Sequence, residues 1–173
     1  PIPVVLLRQI YSEHSSSNEC FVILLSMTTD NHTHFMQQAF RQAELAKRDG
    51  ELPFGAVVVK NGVVIAKGRC REAKRKTVLA HAEVEAVDKA CRKLNTGKLN
   101  DCIIFCTNEP CPMCAAAIFQ AKIPLVVIGA SRGDIGFMRP RTIDIQVLAD
   151  DSGYEITIVR DVMKRDVIQL FGY

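Results

Sequence analysis

The sequence predicts an α/β protein, a three-layer sandwich in which one mixed sheet of five strands lies between helices. Three observations predict it. Two runs rich in β-branched residues, 56–60 and 63–67, are joined by Asn61-Gly62, a dipeptide suited to the two left-handed positions of a type I′ hairpin. The run 102–107, Cys-Ile-Ile-Phe-Cys-Thr, is almost continuously apolar and bounded by polar residues, the pattern of a strand buried on both faces. Helical and strand patterns then alternate to the end of the chain, which calls for crossover connections between parallel strands. With 173 residues, 48% of them apolar, the chain fits one core and excludes disordered and fibrous classes.

The elements follow in order. Residues 1–32 share no clear period and are expected to form a peripheral N-terminal extension, with Met27 as an alternative start and 33–173 as the domain proper. From Thr33 the spacing of Phe35, Met36, Ala39, Phe40 and Ala43 predicts a helix that Thr33 caps and Gly50 stops. After the hairpin, residues 68–80 carry many Lys and Arg without apolar alternation and read as a solvated loop, or as a contact for phosphates. A helix over 81–94, the buried strand 102–107 and a proline-initiated helix from 110 come next. A fourth strand over 125–128, a loop over 129–140 long enough to carry function, a helix over 142–149, a strand over 154–159 and a helix over 161–171 complete the chain.

Charge and cysteine content narrow the function classes. The 22 Lys and Arg against 19 Asp and Glu leave a net charge of +3, well short of a dedicated duplex-binding surface. No run reaches the roughly 20 apolar residues of a membrane helix, so no membrane association is expected. Seven cysteines, an odd number in a chain too long to need staples, fit a reduced cytoplasmic setting better than a disulfide framework.

Chemistry concentrates in two segments, His81-Ala82-Glu83 and Pro110-Cys111-Pro112-Met113-Cys114. A catalytic zinc takes three protein ligands and keeps a fourth position open, and His81, Cys111 and Cys114 supply three. Cys111 and Cys114 lie three apart at a helix start, where both thiolates face one way and first-turn amides help to ionise them. Glu83 is then free to shuttle protons. A redox dithiol at Cys111 and Cys114 would leave His81-Ala82-Glu83 unexplained, and a structural zinc would want a fourth ligand that His14, His32 and His34 are not framed to give. Cys91, Cys102 and Cys106 read as buried, inert thiols.

These two segments, with Cys111 thirty residues after His81, resemble the zinc-dependent cytidine deaminase-like superfamily over about 33–171. The branch they look most like holds tRNA adenosine deaminases, bacterial guanine deaminases and fungal cytosine deaminases. The resemblance implies a five-stranded sheet whose strands 4 and 5 are parallel, one zinc per chain on His81, Cys111 and Cys114, Glu83 as catalytic acid and base, and a homodimer. It also implies substrate contacts from the backbone at Ala82, from the turn at Pro110 and from the ring of Phe54 in Pro53-Phe54-Gly55. The branch usually carries Asn eleven residues before the zinc histidine to read the edge of the base; this chain has Cys70, which cannot donate and accept as an amide does.

The function expected is a zinc-dependent hydrolytic deaminase of a nucleobase or related amino-substituted heterocycle, cytosine- or guanine-like, that releases ammonia. Residues 129–140, Phe171 and Tyr173 would form its lid. Two alternatives stand beside it. A tRNA adenosine deaminase is favoured by the basic stretch from Arg69 to Lys76 and opposed by the acidic Asp150, Asp151 and Glu155 near the end of the chain. A non-catalytic zinc-binding subunit of the same fold would have no need of Glu83.

Overall fold

The computed structural model describes residues 29–172. Helix α1 (Thr29–Arg48) precedes the hairpin of β1 (Gly55–Lys60) and β2 (Val63–Arg69). The one-turn helix α2 (Glu72–Arg75) leads into α3 (Ala82–Leu94), β3 (Cys102–Asn108) and α4 (Pro112–Gln120). Strand β4 (Leu125–Ala130) is followed by a 3-10 turn (Arg132–Asp134), α5 (Ile145–Ser152), β5 (Thr157–Val159) and α6 (Lys164–Gln169).

The strands form one sheet in the order β2-β1-β3-β4-β5. The β1 strand is antiparallel to β2 and β3, whereas β3 and β4, and β4 and β5, run parallel. The mixed five-stranded sheet and its parallel fourth and fifth strands are therefore as expected. Every residue of β3 is buried, because helices cover both faces of the sheet. One apolar cluster joins Val58, Ile104, Val126 and Ile128 to Ala86 of α3, Ile118 of α4 and Ile145 of α5. The other joins Val57, Phe105 and Val127 to Phe35, Met36 and Ala39 of α1. The alternation of Val57 and Val58 between the clusters is the period-2 geometry of a strand between two layers. Asn61 and Gly62 make the hairpin turn with φ of 50° and 71°, the left-handed pair that an Asn-Gly turn requires.

Two glycines let helices approach the sheet closely. A Cβ on Gly55 would lie 2.1 Å from the Ala39 carbonyl oxygen of α1. On the opposite layer, a Cβ on Gly68 would lie 1.9 Å from the Ala82 carbonyl oxygen and 2.6 Å from the Ala86 nitrogen, so α3 rests directly on β2 at its first turn.

Several boundaries differ from the sequence expectation. Helix α1 begins at Thr29, not Thr33: Asp30 lies in its first turn, where a carboxylate suits the helix dipole, and His32 packs edge-on against Phe105 at 5.9 Å. Residues 29–32, assigned above to the extension, thus belong to a core helix, and the rest of that extension with Met27 lies outside the described residues. The basic segment holds α2 and is not a bare loop; the buried Glu51 carboxylate accepts from the amides of Ala73 and Lys74 at 3.1 and 2.7 Å and caps it. Strand β5 has three residues and not six, because Tyr154 stacks on Phe119 at 5.0 Å and donates its hydroxyl to the Ile123 carbonyl. The last helix starts at Lys164, three residues late, since Asp161 and Met163 adopt left-handed φ of 66° and 58°.

Candidate active site

The site forms where two helices begin. His81 is the residue before the first turn of α3 and Cys111 the residue before the first turn of α4. Cys114 and Glu83 lie within those first turns, so all four side chains project from helix N-termini at the ends of β2 and β3. Pro112 opens α4 at a position where a missing amide costs nothing. The two turns meet because β3 returns the chain between the hairpin and α4.

The three donors expected to hold a metal converge. His81 Nδ1 lies 3.3 Å from Cys114 Sγ and 3.6 Å from Cys111 Sγ, and the two sulfurs are 3.5 Å apart. A tetrahedral zinc site with one nitrogen and two sulfur ligands has donor separations of roughly 3.5–3.8 Å, so these residues fit the ion in number, type and spacing. The far nitrogen of the ring agrees: His81 Nε2 is 3.4 Å from Glu72 Oε2, the outward carboxylate contact typical of a metal-binding histidine. No other group of three such side chains within metal-binding reach occurs among the described residues.

The electrostatics of these side chains taken alone point the same way. Its hydrogen-bonding contact with Cys114 draws the Cys111 thiol down to about 3, against the effect of burial and with help from His81. Its contact with Cys111 raises His81 to about 9, again against burial. The same contact and burial push the Cys114 thiol up. One thiolate beside an imidazolium is a centre prepared to exchange its protons for a cation.

Glu83 stands beside the donors without joining them. It is 7% exposed, it accepts from the Cys114 thiol at 3.4 Å, and burial pushes its carboxyl up. Burial favours the protonated form, so a carboxyl so placed can take up a proton and hand it on. Glu83, His81 and Cys111 share a cleft with Phe54, Asn108, Glu109, Arg132, Met138 and Arg141. Phe54 packs against Phe171 at 5.8 Å, and Phe171 in turn meets Phe137 at 5.8 Å. Tyr173, expected with Phe171 in a lid, lies outside the described residues.

Three further substrate contacts are expected from the sequence, at Cys70, Ala82 and Pro110. Cys70 is buried, bonded through its backbone to Phe54 and turned with Sγ toward Glu72 at 3.8 Å, outside the cleft lining. Ala82 and Pro110 are buried, Ala82 between the cleft residues His81 and Glu83 and Pro110 between the cleft residues Glu109 and Cys111. Sequence reasoning did not single out Asn108, Glu109 or Arg141. For Asn108 a signal existed, since an amide side chain closes an otherwise apolar strand one residue before Glu109-Pro110-Cys111.

Comparison with known proteins agrees with this geometry. A family model described as MafB19-like deaminase matches residues 30–166. A tRNA-specific adenosine deaminase of Streptococcus pyogenes serotype M1 is 33% identical over 138 residues, which cover 79% of this chain and 79% of that one. A guanine deaminase of Bacillus subtilis strain 168 is 41% identical over 105 residues, covering 60% of this chain and 67% of the relative. Among such curated relatives the matched stretch spans from 60% to 79% of their own length. A solved structure from work on A-to-I editing by tRNA deaminases at the wobble position superimposes with a TM-score of 0.71 at 29% identity, over 80% of this chain and 99% of that one.

Proposed function

Because the chain belongs to the MafB19-like deaminase family, we propose that it is a zinc-dependent hydrolytic deaminase of a nucleobase or a related amino-substituted heterocycle, cytosine- or guanine-like. The observation that carries this reading is Glu83, a buried carboxyl in the same cleft as His81 and Cys111 and in contact with Cys114. His81, Cys111 and Cys114 would hold one zinc, which supplies the Lewis acidity that makes water nucleophilic at neutral pH. Glu83 takes the two protons that the water gives up in turn, the first on attack and the second as the carbonyl forms, and delivers them to a ring nitrogen and to the exocyclic amine. A C–O bond forms at the ring carbon, its bond to the amine breaks, ammonia leaves and a carbonyl remains. Phe54 offers a flat apolar wall for the ring, and its packing against Phe171 helps to hold that wall in place.

The test is ammonia release by the zinc-loaded protein from cytosine, guanine, adenine, their nucleosides and tRNA, beside the variant Glu83→Gln. The variant should keep its zinc and lose roughly 10²–10⁴-fold in turnover. Undiminished turnover would remove Glu83 from the chemistry, and zinc without turnover on any substrate would favour a non-catalytic subunit of the same fold.

A tRNA adenosine deaminase is the second reading, favoured by the name of the streptococcal relative and by Arg132 and Arg141 at the cleft with the exposed Lys74 and Lys76 nearby in sequence to His81. Binding of tRNA that weakens steeply with salt would support it, because phosphate contacts release counterions. We further propose a homodimer. Of helix α4, Ala115, Ile118 and Phe119 are buried in the core, while Val78, Leu79 and Ile143 elsewhere remain exposed. A cytoplasmic setting is supported by six free cysteines among the described residues. No helix among those residues is long and apolar enough to cross a membrane.

A further inference from the structure

Asn108 closes β3 at the cleft and differs from its neighbours in how its polar atoms are used. Next to it, the Thr107 hydroxyl accepts from the Gly55 amide at 3.0 Å and donates to the Gly55 carbonyl at 3.2 Å, so it is fully occupied within the fold. Glu109 on the other side accepts from Arg160 at 2.7 Å. The Asn108 amide is only 6% exposed, yet neither its Oδ1 nor its Nδ2 has a hydrogen-bond partner among the described residues. Buried amides are nearly always paired, and leaving both halves of one unpaired costs stability that a folded core has no reason to give up. The side chain lines the same cleft as Phe54, His81 and Glu83.

We propose that Asn108 is the specificity-determining residue of this chain and reads the edge of the substrate ring. Its Oδ1 accepts from a ring N–H or amino group while its Nδ2 donates to the adjacent ring nitrogen or carbonyl. The ligand class is a planar heterocycle with a donor and an acceptor side by side on one edge, stacked on Phe54 and carrying its amine toward Glu83. Cys70 has no part in this reading, since its thiol faces Glu72 outside the cleft. A site whose buried polar groups are completed only by the right ring rejects analogues that leave them unpaired, which is the strongest form of discrimination a pocket offers.

This inference rests on the deaminase reading, so its test measures binding apart from turnover. The zinc-loaded wild type and the variants Asn108→Asp and Asn108→Leu are titrated calorimetrically with cytosine, guanine, adenine and 2-aminopyrimidine, with zinc content measured on each protein. Asn108→Leu keeps the approximate volume and removes both hydrogen bonds; it should weaken the best ligand by about tenfold or more. Asn108→Asp keeps the shape and loses the donor, and should shift the order of ligands toward those that present N–H groups. If Asn108→Leu fails to fold, the near-isosteric Asp variant alone decides. Unchanged affinities and an unchanged order in a variant that holds zinc overturn the inference. A zinc-loaded wild type that binds none of the four rings overturns this inference, while the deaminase reading falls only if ammonia is also released from none of the nucleosides or tRNA.

Discussion

His81 is held on two sides, by the sulfurs of Cys111 and Cys114 at Nδ1 and by the Glu72 carboxylate at Nε2. The second contact selects the tautomer and the ring plane in which the first can bind a cation. Glu72→Ala should therefore lower zinc affinity by about 10–100-fold in competition with a chromophoric chelator, with the helical content unchanged. An unaltered affinity would show that the first-turn geometry of α3 suffices. The candidate ligands were legible in the sequence, because their residue types are rare and Cys111 and Cys114 are local to one helical turn. Glu72 was not, since only the fold sets it opposite the His81 ring, and for Asn108 the sequence showed an amide at the end of an apolar strand but not that this amide stays unpaired. Cys70 shows the converse: its position relative to His81 suggested a ligand contact, but the chain turns there so that its thiol is buried against Glu72, and burial raises its pKa.

Among the elements, α3 decides where the site lies. Its first turn rests on β2 at Gly68, so the helix backbone, and with it His81 and Glu83, is set by contact between main chains without an intervening side chain. Gly68→Ala would press a methyl group on the Ala82 carbonyl, which is backbone and cannot swing aside. It should destabilise the protein by about 1–3 kcal/mol and reduce zinc occupancy, because His81 is the residue just before Ala82. Gly97→Ala is the control, for a Cβ there meets nothing within 4 Å; thermal melts and metal analysis on the pair check the prediction. Equal melting and equal zinc in both would show that α3 can shift without cost. The hairpin, the buried β3 and the existence of α3 and α4 were readable from local pattern. The start of α1, the length of β5 and the start of α6 were not, because His32 on Phe105, Tyr154 on Phe119 and the left-handed Asp161 and Met163 are settled by tertiary contact.

On the scale of the whole molecule, zinc would tie together elements that meet nowhere else in sequence, the turn after β2 and the turn after β3. Binding that exists only in the folded state adds to stability by mass action. At free zinc about a thousandfold above its dissociation constant the gain is about 4 kcal/mol, and in a domain of this size each kcal/mol moves the midpoint by roughly 2–4 °C. Chelation should thus lower the melting temperature by roughly 8–16 °C and added zinc should restore it; a melt indifferent to chelator would speak against a metal on His81, Cys111 and Cys114. The sequence by itself determined the sheet, the helical layers, the family and the donor set, because hydrophobic period, an Asn-Gly turn and paired cysteines on one helical turn act over a few residues. Only the tertiary structure decided the hold of Glu72 on His81 and the unpaired amide of Asn108, because these depend on which strands become neighbours and on whether a buried polar atom finds a partner across the fold.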